Sequence, residues 1–375
     1  MNAERLHAIV AAVKADLEQT SLFRHLQQLA ATLTNLASQP GQTEYQRQVS
    51  SSLQALETAL RNSDVNDFSP TWRQVMDETG MSRMLGQELA ARVHAAIADN
   101  QMTPAVAATS IQKLTGEVQS LTTFLDQMLG GFDHLGIGQE DLDPGECEIG
   151  VLVPRTFVSN RLDKFADELE ELNRIFGTFS ELATGQRPSF EIRTISSSDL
   201  SIFLDAAPVV GACVAVAVER IVGLYKQLLE VRKLQGELLK QGLDKKDVKG
   251  VEDHANKLMD KGIDVLVKDL LAEFETKGDG HRSNELAVEI KYSLKKIANR
   301  VDRGFNIEVR MEEPEEPDDD EQAAPNDAQA QMYQRIQGAA TGMQFLKLEG
   351  DPILSLAEAE KPKTKKVDGA EAATP

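Results

Sequence analysis

The chain has 375 residues, of which 41% are hydrophobic and 5% aromatic, and its formal net charge at pH 7 is −20. This length is enough for two compact domains, and the scarcity of aromatic residues favours cores of packed aliphatic helices over a β-sandwich. The negative charge argues against nucleic acid as a partner, because nonspecific binding to it depends on Lys and Arg neutralising phosphates.

Residues 1–135 are predicted to form an antiparallel helical bundle. Apolar residues recur at helical spacing over residues 3–37, and a change of phase near Thr20 predicts one long helix that bends there. Pro40 and Gly41 end this helix, and a second apolar stripe follows. Because the connection is short, the two helices should lie side by side in opposite directions.

Two later helices of this half are predicted to begin with the same pair of residues, a capping side chain followed by proline. Ser69 and Thr103 each precede a proline, which fits the first position of a helix after a capping side chain. The helix after Thr103 carries a long apolar stripe, and Gly130-Gly131 is predicted to close it. A stretch rich in Gly, Asp and Pro over residues 136–145 then marks a predicted domain boundary.

Residues 136–311 are predicted to form an α+β domain with a small sheet and long helices. Strand-like alternation of apolar and polar residues occurs in four segments, 147–153, 190–195, 200–204 and 305–311. Turn-forming residues separate the second segment from the third, which predicts a hairpin. Helical spacing predicts four helices, over residues 159–183, 208–241, 248–277 and 282–303.

Residues 312–375 are predicted to be a disordered acidic tail, because the runs 312–321 and 361–375 contain few residues that could be buried. Between these runs, residues 328–348 have weak helical potential and are a candidate docking segment for a partner. Removing the whole tail is expected to leave the fold intact.

Residues 206–218 are the most distinctive segment, because they contain no charged residue. A membrane-spanning helix needs about 20 apolar residues, so this run is predicted to begin a central core helix instead. Its continuation has the alternating four- and three-residue steps of a coiled coil, and Arg232 falls outside that seam. The seam is a candidate contact for a partner helix and comprises Ile221, Leu224, Leu228, Val231 and Leu238.

Basic residues gather on the predicted helix before the last strand, at Lys291, Lys295, Lys296, Arg300 and Arg303. Their helical spacing predicts a positive face. One interpretation is that they complement the carboxyl end of the helix dipole and pair with acidic neighbours. The alternative is that they contact an anionic ligand, such as a phosphate group, or an acidic partner.

No catalytic, nucleotide, metal or cofactor motif is found in the sequence. The two cysteines, Cys147 and Cys213, have no histidine or second cysteine at metal-ligand spacing, and the six histidines are scattered singly. No nucleophile elbow of the G-x-S-x-G type occurs either. The first residues do not resemble a signal peptide, so a cytoplasmic location is expected.

These features favour a cytoplasmic interaction or scaffold protein without catalytic activity, which binds a protein partner or associates with itself through its helices. Two alternatives belong to other classes. One is a membrane-active effector that releases residues 206–218 from the core. The other is an enzyme whose site is assembled from separate segments of the second domain.

Overall fold

The computed structural model describes residues 3–139, 141–196, 200–242, 244, 246, 248–275, 280–315, 324–343, 345–346 and 348–356. Within these ranges the chain forms twelve α-helices and one four-stranded antiparallel sheet. The predicted class, mainly α with a small sheet in the second half, is confirmed. Most of the acidic run 312–321 and all of residues 361–375, for which disorder is predicted, lie outside the described residues.

The N-terminal half is a helical bundle around one hydrophobic core. Its helices are α1 Ala3–Gln19, α2 Leu22–Ser38, α3 Thr43–Arg61, α4 Pro70–Thr79, α5 Gly86–Ala98 and α6 Pro104–Leu135. Helix α2 packs along both α3 and α6. Its apolar stripe is completely buried at Leu26 and Leu29, so this stripe is an internal contact of the bundle.

Two helix boundaries in this half differ from the sequence prediction. The bend expected near Thr20 is a break into two helices, because Ser21 adopts a left-handed backbone conformation with a φ of 48°. Helix α6 continues through Gly130-Gly131 and ends at Leu135, and Gly136, whose φ is 67°, caps it. A glycine inside a helix costs only about 1 kcal/mol relative to alanine. Phe132, beyond the two glycines, packs against the core, so the predicted end is wrong.

The second half surrounds its sheet with helices. The strands are β1 Cys147–Val153, β2 Ile192–Ile195, β3 Leu200–Ala206 and β4 Asn306–Met311, and their order is β2-β3-β1-β4. The helices are α7 Leu162–Thr184, α8 Pro208–Lys226, α9 Leu229–Lys240, α10 Lys249–Phe274, α11 Gly280–Val301 and α12 Ala324–Gly342. The predicted hairpin is present as β2 and β3, which pair in antiparallel fashion.

Helix α8, which contains most of the uncharged segment 206–218, lies at the centre of this half. It contacts α7, α10, α11, α12, β1 and β4. Among the described residues it is the one helix long and apolar enough to cross a membrane, and 61% of its most apolar window is buried in the protein. The helix predicted to run to residue 241 is interrupted after Lys226, and α9 begins at Leu229.

Replacing Gly211 of α8 with alanine is expected to destabilise the protein by about 1 to 3 kcal/mol. The added methyl group would overlap the sulfur of Cys147 and lie 3.2 Å from Val309 Cγ1. Gly223→Ala in the same helix is the matched control, because nothing lies within 4 Å of the added group. The control should be neutral or stabilising. Denaturant unfolding measures both variants, and equal stabilities would contradict this account of the packing.

The described parts of residues 324–356 belong to the packed second half. Helix α12 lies against α8 and β4, and it buries Ile336. The segment after it buries Ile353, Leu354 and Leu356 in the same hydrophobic cluster as the sheet and α8. The weak helical potential of residues 328–348 therefore marks a helix that packs on the chain itself. This burial argues against the expectation that the chain keeps its fold without residues 312–375.

Two hydrophobic clusters divide the chain, with buried residues between 9 and 125 in one and between 147 and 356 in the other. The division of the chain into the predicted domains 1–135 and 136–311 stays a prediction. Between the clusters, α1 and α4 contact the face of the sheet that α8 does not cover. This interface is polar, because the sheet presents the carboxyl groups of Glu148 and Glu308 to the two helices. Arg5 of α1 donates two hydrogen bonds, of 2.8 and 3.1 Å, to the carboxylate of Glu148 on β1.

Glu308 of β4 caps helix α4 across this interface. The backbone N–H of Thr71, in the first turn of α4, donates to Glu308 Oε2 over 2.8 Å. The carboxyl group therefore faces the positive end of the helix dipole. Glu308 is nevertheless only 4% exposed, and burial raises the pKa of its carboxyl group above the ordinary value of 4.5.

The raised pKa of Glu308 predicts a loss of stability as the pH increases. Above about pH 4.5 the unfolded chain releases this proton while the folded protein retains it, so unfolding becomes more favourable until the pH passes the folded-state pKa. Glu308→Gln keeps an acceptor for Thr71 but does not titrate. Denaturant unfolding between about pH 5 and about pH 8 should therefore show the variant gaining stability relative to the wild type. A pH-independent difference would contradict this prediction.

Candidate functional site

The basic residues predicted on one positive face are divided between two neighbours of α11. Lys291 contacts Asp264, and the Lys295 ammonium group lies 2.6 Å from Asp260, both acids belonging to α10. The hydrogen bond with Asp264 raises the pKa of Lys291, so this lysine stays charged. Both lysines are thus engaged in ion pairs, which is the arrangement that the pairing interpretation describes.

The other three basic residues line a cleft of about 480 Å³ between α7 and α11. Arg300 donates from Nε and Nη2 to the two carboxylate oxygens of Glu168, over 2.6 and 2.8 Å, and both side chains are buried. Lys296 lies 3.7 Å from Glu171, and Arg303 donates to a backbone carbonyl one turn earlier over 2.8 Å. The walls of the cleft carry both signs of charge, and binding of an anion there stays a prediction.

The predicted partner-helix seam faces the interior of the second half. Ile221 and Leu228 are 0% and 2% exposed, and Leu224 and Val231 pack against the same core. Leu238, nearer the end of α9, is partly exposed. Most of the seam therefore contacts other parts of the chain, and contact with a partner helix through it stays a prediction.

A different feature has the geometry of a binding site: a groove that holds residues 349–356, which we call the strap. The groove is formed by α9, α10, α11 and the residue that follows α11. Its side chains make seven hydrogen bonds to the backbone of the strap. Four side chains make these bonds, and we call the site that they form the strap groove: Arg232, Asn256, Asn299 and Asp302.

Arg232 and Asp302 form a buried ion pair at the centre of the strap groove. Their side chains are 5% and 0% exposed, and Arg232 Nη1 lies 2.9 Å from Asp302 Oδ1. Arg232 Nε and Nη2 donate to the carbonyl oxygens of Glu349 and Gly350 over 3.0 and 2.7 Å. Asp302 Oδ2 accepts from the backbone N–H of Leu354 over 2.7 Å. The pair therefore offers both donors and an acceptor to the strap.

Tyr225, at the end of α8, holds this ion pair in position. Its hydroxyl group donates to Asp302 Oδ1 and accepts from Arg232 Nη1, the latter over 2.8 Å. Burial raises the pKa of Tyr225, and the negative charge of Asp302 acts in the same direction, so the hydroxyl keeps its proton. Tyr225, Arg232 and Asp302 therefore bind one another, and the ion pair binds the strap as well.

Two asparagines bind the end of the strap through paired hydrogen bonds. Asn256 Oδ1 accepts from the N–H of Ser355 over 2.8 Å, and its Nδ2 donates to the carbonyl of Ile353 over 3.3 Å. Asn299 Oδ1 accepts from the N–H of Leu356 over 3.2 Å, and its Nδ2 donates to the carbonyl of the same residue over 3.5 Å. A side-chain amide suits this task because it carries a donor and an acceptor side by side.

Sequence reasoning missed the strap groove. The coiled-coil spacing places Arg232 outside the seam, but the structure buries this residue beside Asp302, which lies 70 residues later. No local spacing connects the groove residues, because they belong to three helices and a loop. The signal that was present is the apolar group Ile353, Leu354 and Leu356, which follows a turn-forming run at residues 349–352.

Within the described ranges no group of three or more His, Cys, Asp or Glu residues is arranged to hold a metal ion. Cys147 and Cys213 are buried and unpaired as thiols, and burial raises the pKa of each. Neither thiol is therefore poised as a nucleophile. Comparison of the chain with protein-family models, with curated proteins and with solved structures found no match.

Proposed function

We propose that this chain is a helical interaction protein whose strap groove binds extended protein segments, with its own strap as the resting occupant. The proposal is carried by the seven hydrogen bonds from groove side chains to the strap backbone. Backbone hydrogen bonds provide affinity for an extended peptide, while buried side chains provide selectivity. A cytoplasmic location and a scaffold role without catalysis are part of the proposal.

The strap must leave before a partner segment can bind. A tethered occupant competes at an effective concentration on the order of millimolar, so an external segment binds the resting protein weakly. Release of the strap removes this competition and leaves the groove side chains available to a partner segment. The protein is thereby regulated through its own chain, and any event that loosens the strap raises its affinity for partners.

The test uses full-length protein with the strap released by Ile353→Asp and Leu354→Asp, because both side chains are buried in the wild type. A fluorescent peptide with the sequence of residues 348–357 should bind this variant at least about tenfold more tightly than it binds the wild type. Fluorescence anisotropy measures the affinity, and circular dichroism establishes that the variant is folded. Adding Asn256→Ala and Asn299→Ala removes four of the seven hydrogen bonds and should abolish binding.

A second measurement keeps the wild-type strap and does not depend on a destabilised variant. Ser355 is exposed, so a spin label on Ser355→Cys reports the mobility of the strap, and the two native cysteines are buried from the reagent. Excess unlabelled peptide should convert the immobile signal to a mobile one. Failure of the peptide both to bind the released variant and to mobilise this label would reject the proposal.

A further inference from the structure

We propose that the strap groove selects its partner by backbone shape as well as by side chains. Counted from Gly350, the segment it accepts has glycine at the first position, proline at the third and aliphatic residues at the fourth, fifth and seventh, as residues 350–356 do. This inference rests on the proposed function, because it names the kind of protein segment that the groove accepts. The glycine, the proline and the aliphatic residues each follow from a separate feature of the bound strap.

Glycine is required at the first position because of the backbone conformation. Gly350 has a φ of +81°, which residues of L configuration rarely adopt. The carbonyl of Gly350 is fixed at the same time by Arg232 Nη2, so the peptide unit cannot rotate away without losing that hydrogen bond. A Cβ atom at this position would lie 3.8 Å from the Cα of Gly236, which is an ordinary contact distance. The restriction therefore concerns chirality and not size.

Proline suits the third position because the groove does not use its nitrogen. Pro352 is exposed, and none of the seven hydrogen bonds to the strap involves it. A proline also restricts the residue before it to extended conformations. The segment is thus partly ordered before it binds, which lowers the entropy lost on binding.

The aliphatic positions are set by which strap side chains are buried. Ile353, Leu354 and Leu356 are 2%, 2% and 6% exposed, whereas Ser355 is exposed. Two consecutive buried residues do not fit the alternation of a strand added to a sheet. The groove therefore binds a segment by its own set of side chains and not by extending the sheet. The residue between the last two aliphatic positions is free to vary.

The experiment compares peptides on the strap-released full-length variant, starting from the sequence of residues 348–357. We expect Gly350→Ala to weaken binding roughly tenfold. D-alanine at the same position should bind at least as well as glycine, because D residues favour a positive φ. Ser355→Ala should leave the affinity unchanged, and Leu354→Asp should remove detectable binding.

The outcomes separate this inference from the proposed function. If the unmodified peptide binds but L- and D-alanine at position 350 weaken it equally, selection by backbone shape is overturned while the binding groove stands. If the unmodified peptide does not bind at all, the proposed function itself fails. Displacement of the spin-labelled strap in otherwise wild-type protein should rank the peptides in the same order, which guards against a folding defect in the released variant.

Discussion

A chain that ends at Met311 is expected to lose cooperative folding of its second half, whereas a chain that ends at Leu356 should unfold like the full-length protein. The shorter chain lacks helix α12 and the strap. Five large side chains of that region are buried in the second core: Ile336, Met343, Ile353, Leu354 and Leu356. Each contributes roughly 1.5 to 3 kcal/mol, so their sum is comparable with a typical total stability of about 5 to 15 kcal/mol.

The same truncation leaves buried polar groups without partners. Asp302 loses the N–H of Leu354, and Arg232 loses two carbonyl acceptors. In the other half, Arg73 loses the carbonyls of Ala340 and Met343, each 2.6 Å from its Nη2. Unsatisfied buried groups cost about 1 to 3 kcal/mol each, which adds to the lost apolar burial.

Circular dichroism during thermal unfolding distinguishes the two chains. The chain that ends at Leu356 is the control for removal of the terminal residues, because it keeps every contact described for α12 and the strap. A chain ending at Met311 with the same midpoint and the same sharp transition as the control would show that the strap and α12 are dispensable. That result would also weaken the case for a groove of appreciable affinity.

The regular elements could be predicted because their determinants are local. Residues 147–153 show the apolar alternation that predicts a strand, and the structure has a strand with the same bounds. The uncharged run beginning at residue 206 predicts a buried helix, and α8 is that helix. The breaks were harder to predict. The end of α8 at Lys226 and the left-handed Ser21 lie inside continuous apolar patterns, so periodicity alone does not reveal them.

The candidate site could not be predicted from the sequence because its contacts are distant. The seven hydrogen bonds to the strap join residues that lie between 52 and 118 positions apart. The basic residues on α11 illustrate the same difficulty. Helical spacing places them near one another, but only the fold shows that Lys291 faces α10 while Arg300 faces α7. A cluster of basic residues in the sequence therefore does not predict a positively charged surface when helices that carry acidic residues pack on both sides of the basic helix.

Arg5→Met is expected to destabilise the protein by about 3 to 5 kcal/mol, because it leaves a buried carboxylate with a weaker partner. Arg5 and Glu148 are each 1% exposed and joined by two hydrogen bonds. After the substitution Glu148 keeps Arg310, whose Nε lies 3.2 Å away. The guanidinium of Arg5 also lies 3.5 Å from the ring centroid of Phe203, and that contact disappears too.

A double variant separates the cost of an unpaired charge from the value of the ion pair. Arg5→Met with Glu148→Gln removes both charges and should recover part of the lost stability, since replacing a buried pair is often nearly neutral, although Arg310 then loses the carboxylate of Glu148. Arg161→Met is the exposed control: Arg161 is paired with Asp163 on the surface, and its loss should cost less than about 1 kcal/mol. If Arg5→Met is no more destabilising than this control, the contact between the two halves does not depend on the buried charge. If the double variant is more stable than Arg5→Met, Arg5 is needed mainly to neutralise the buried carboxylate of Glu148.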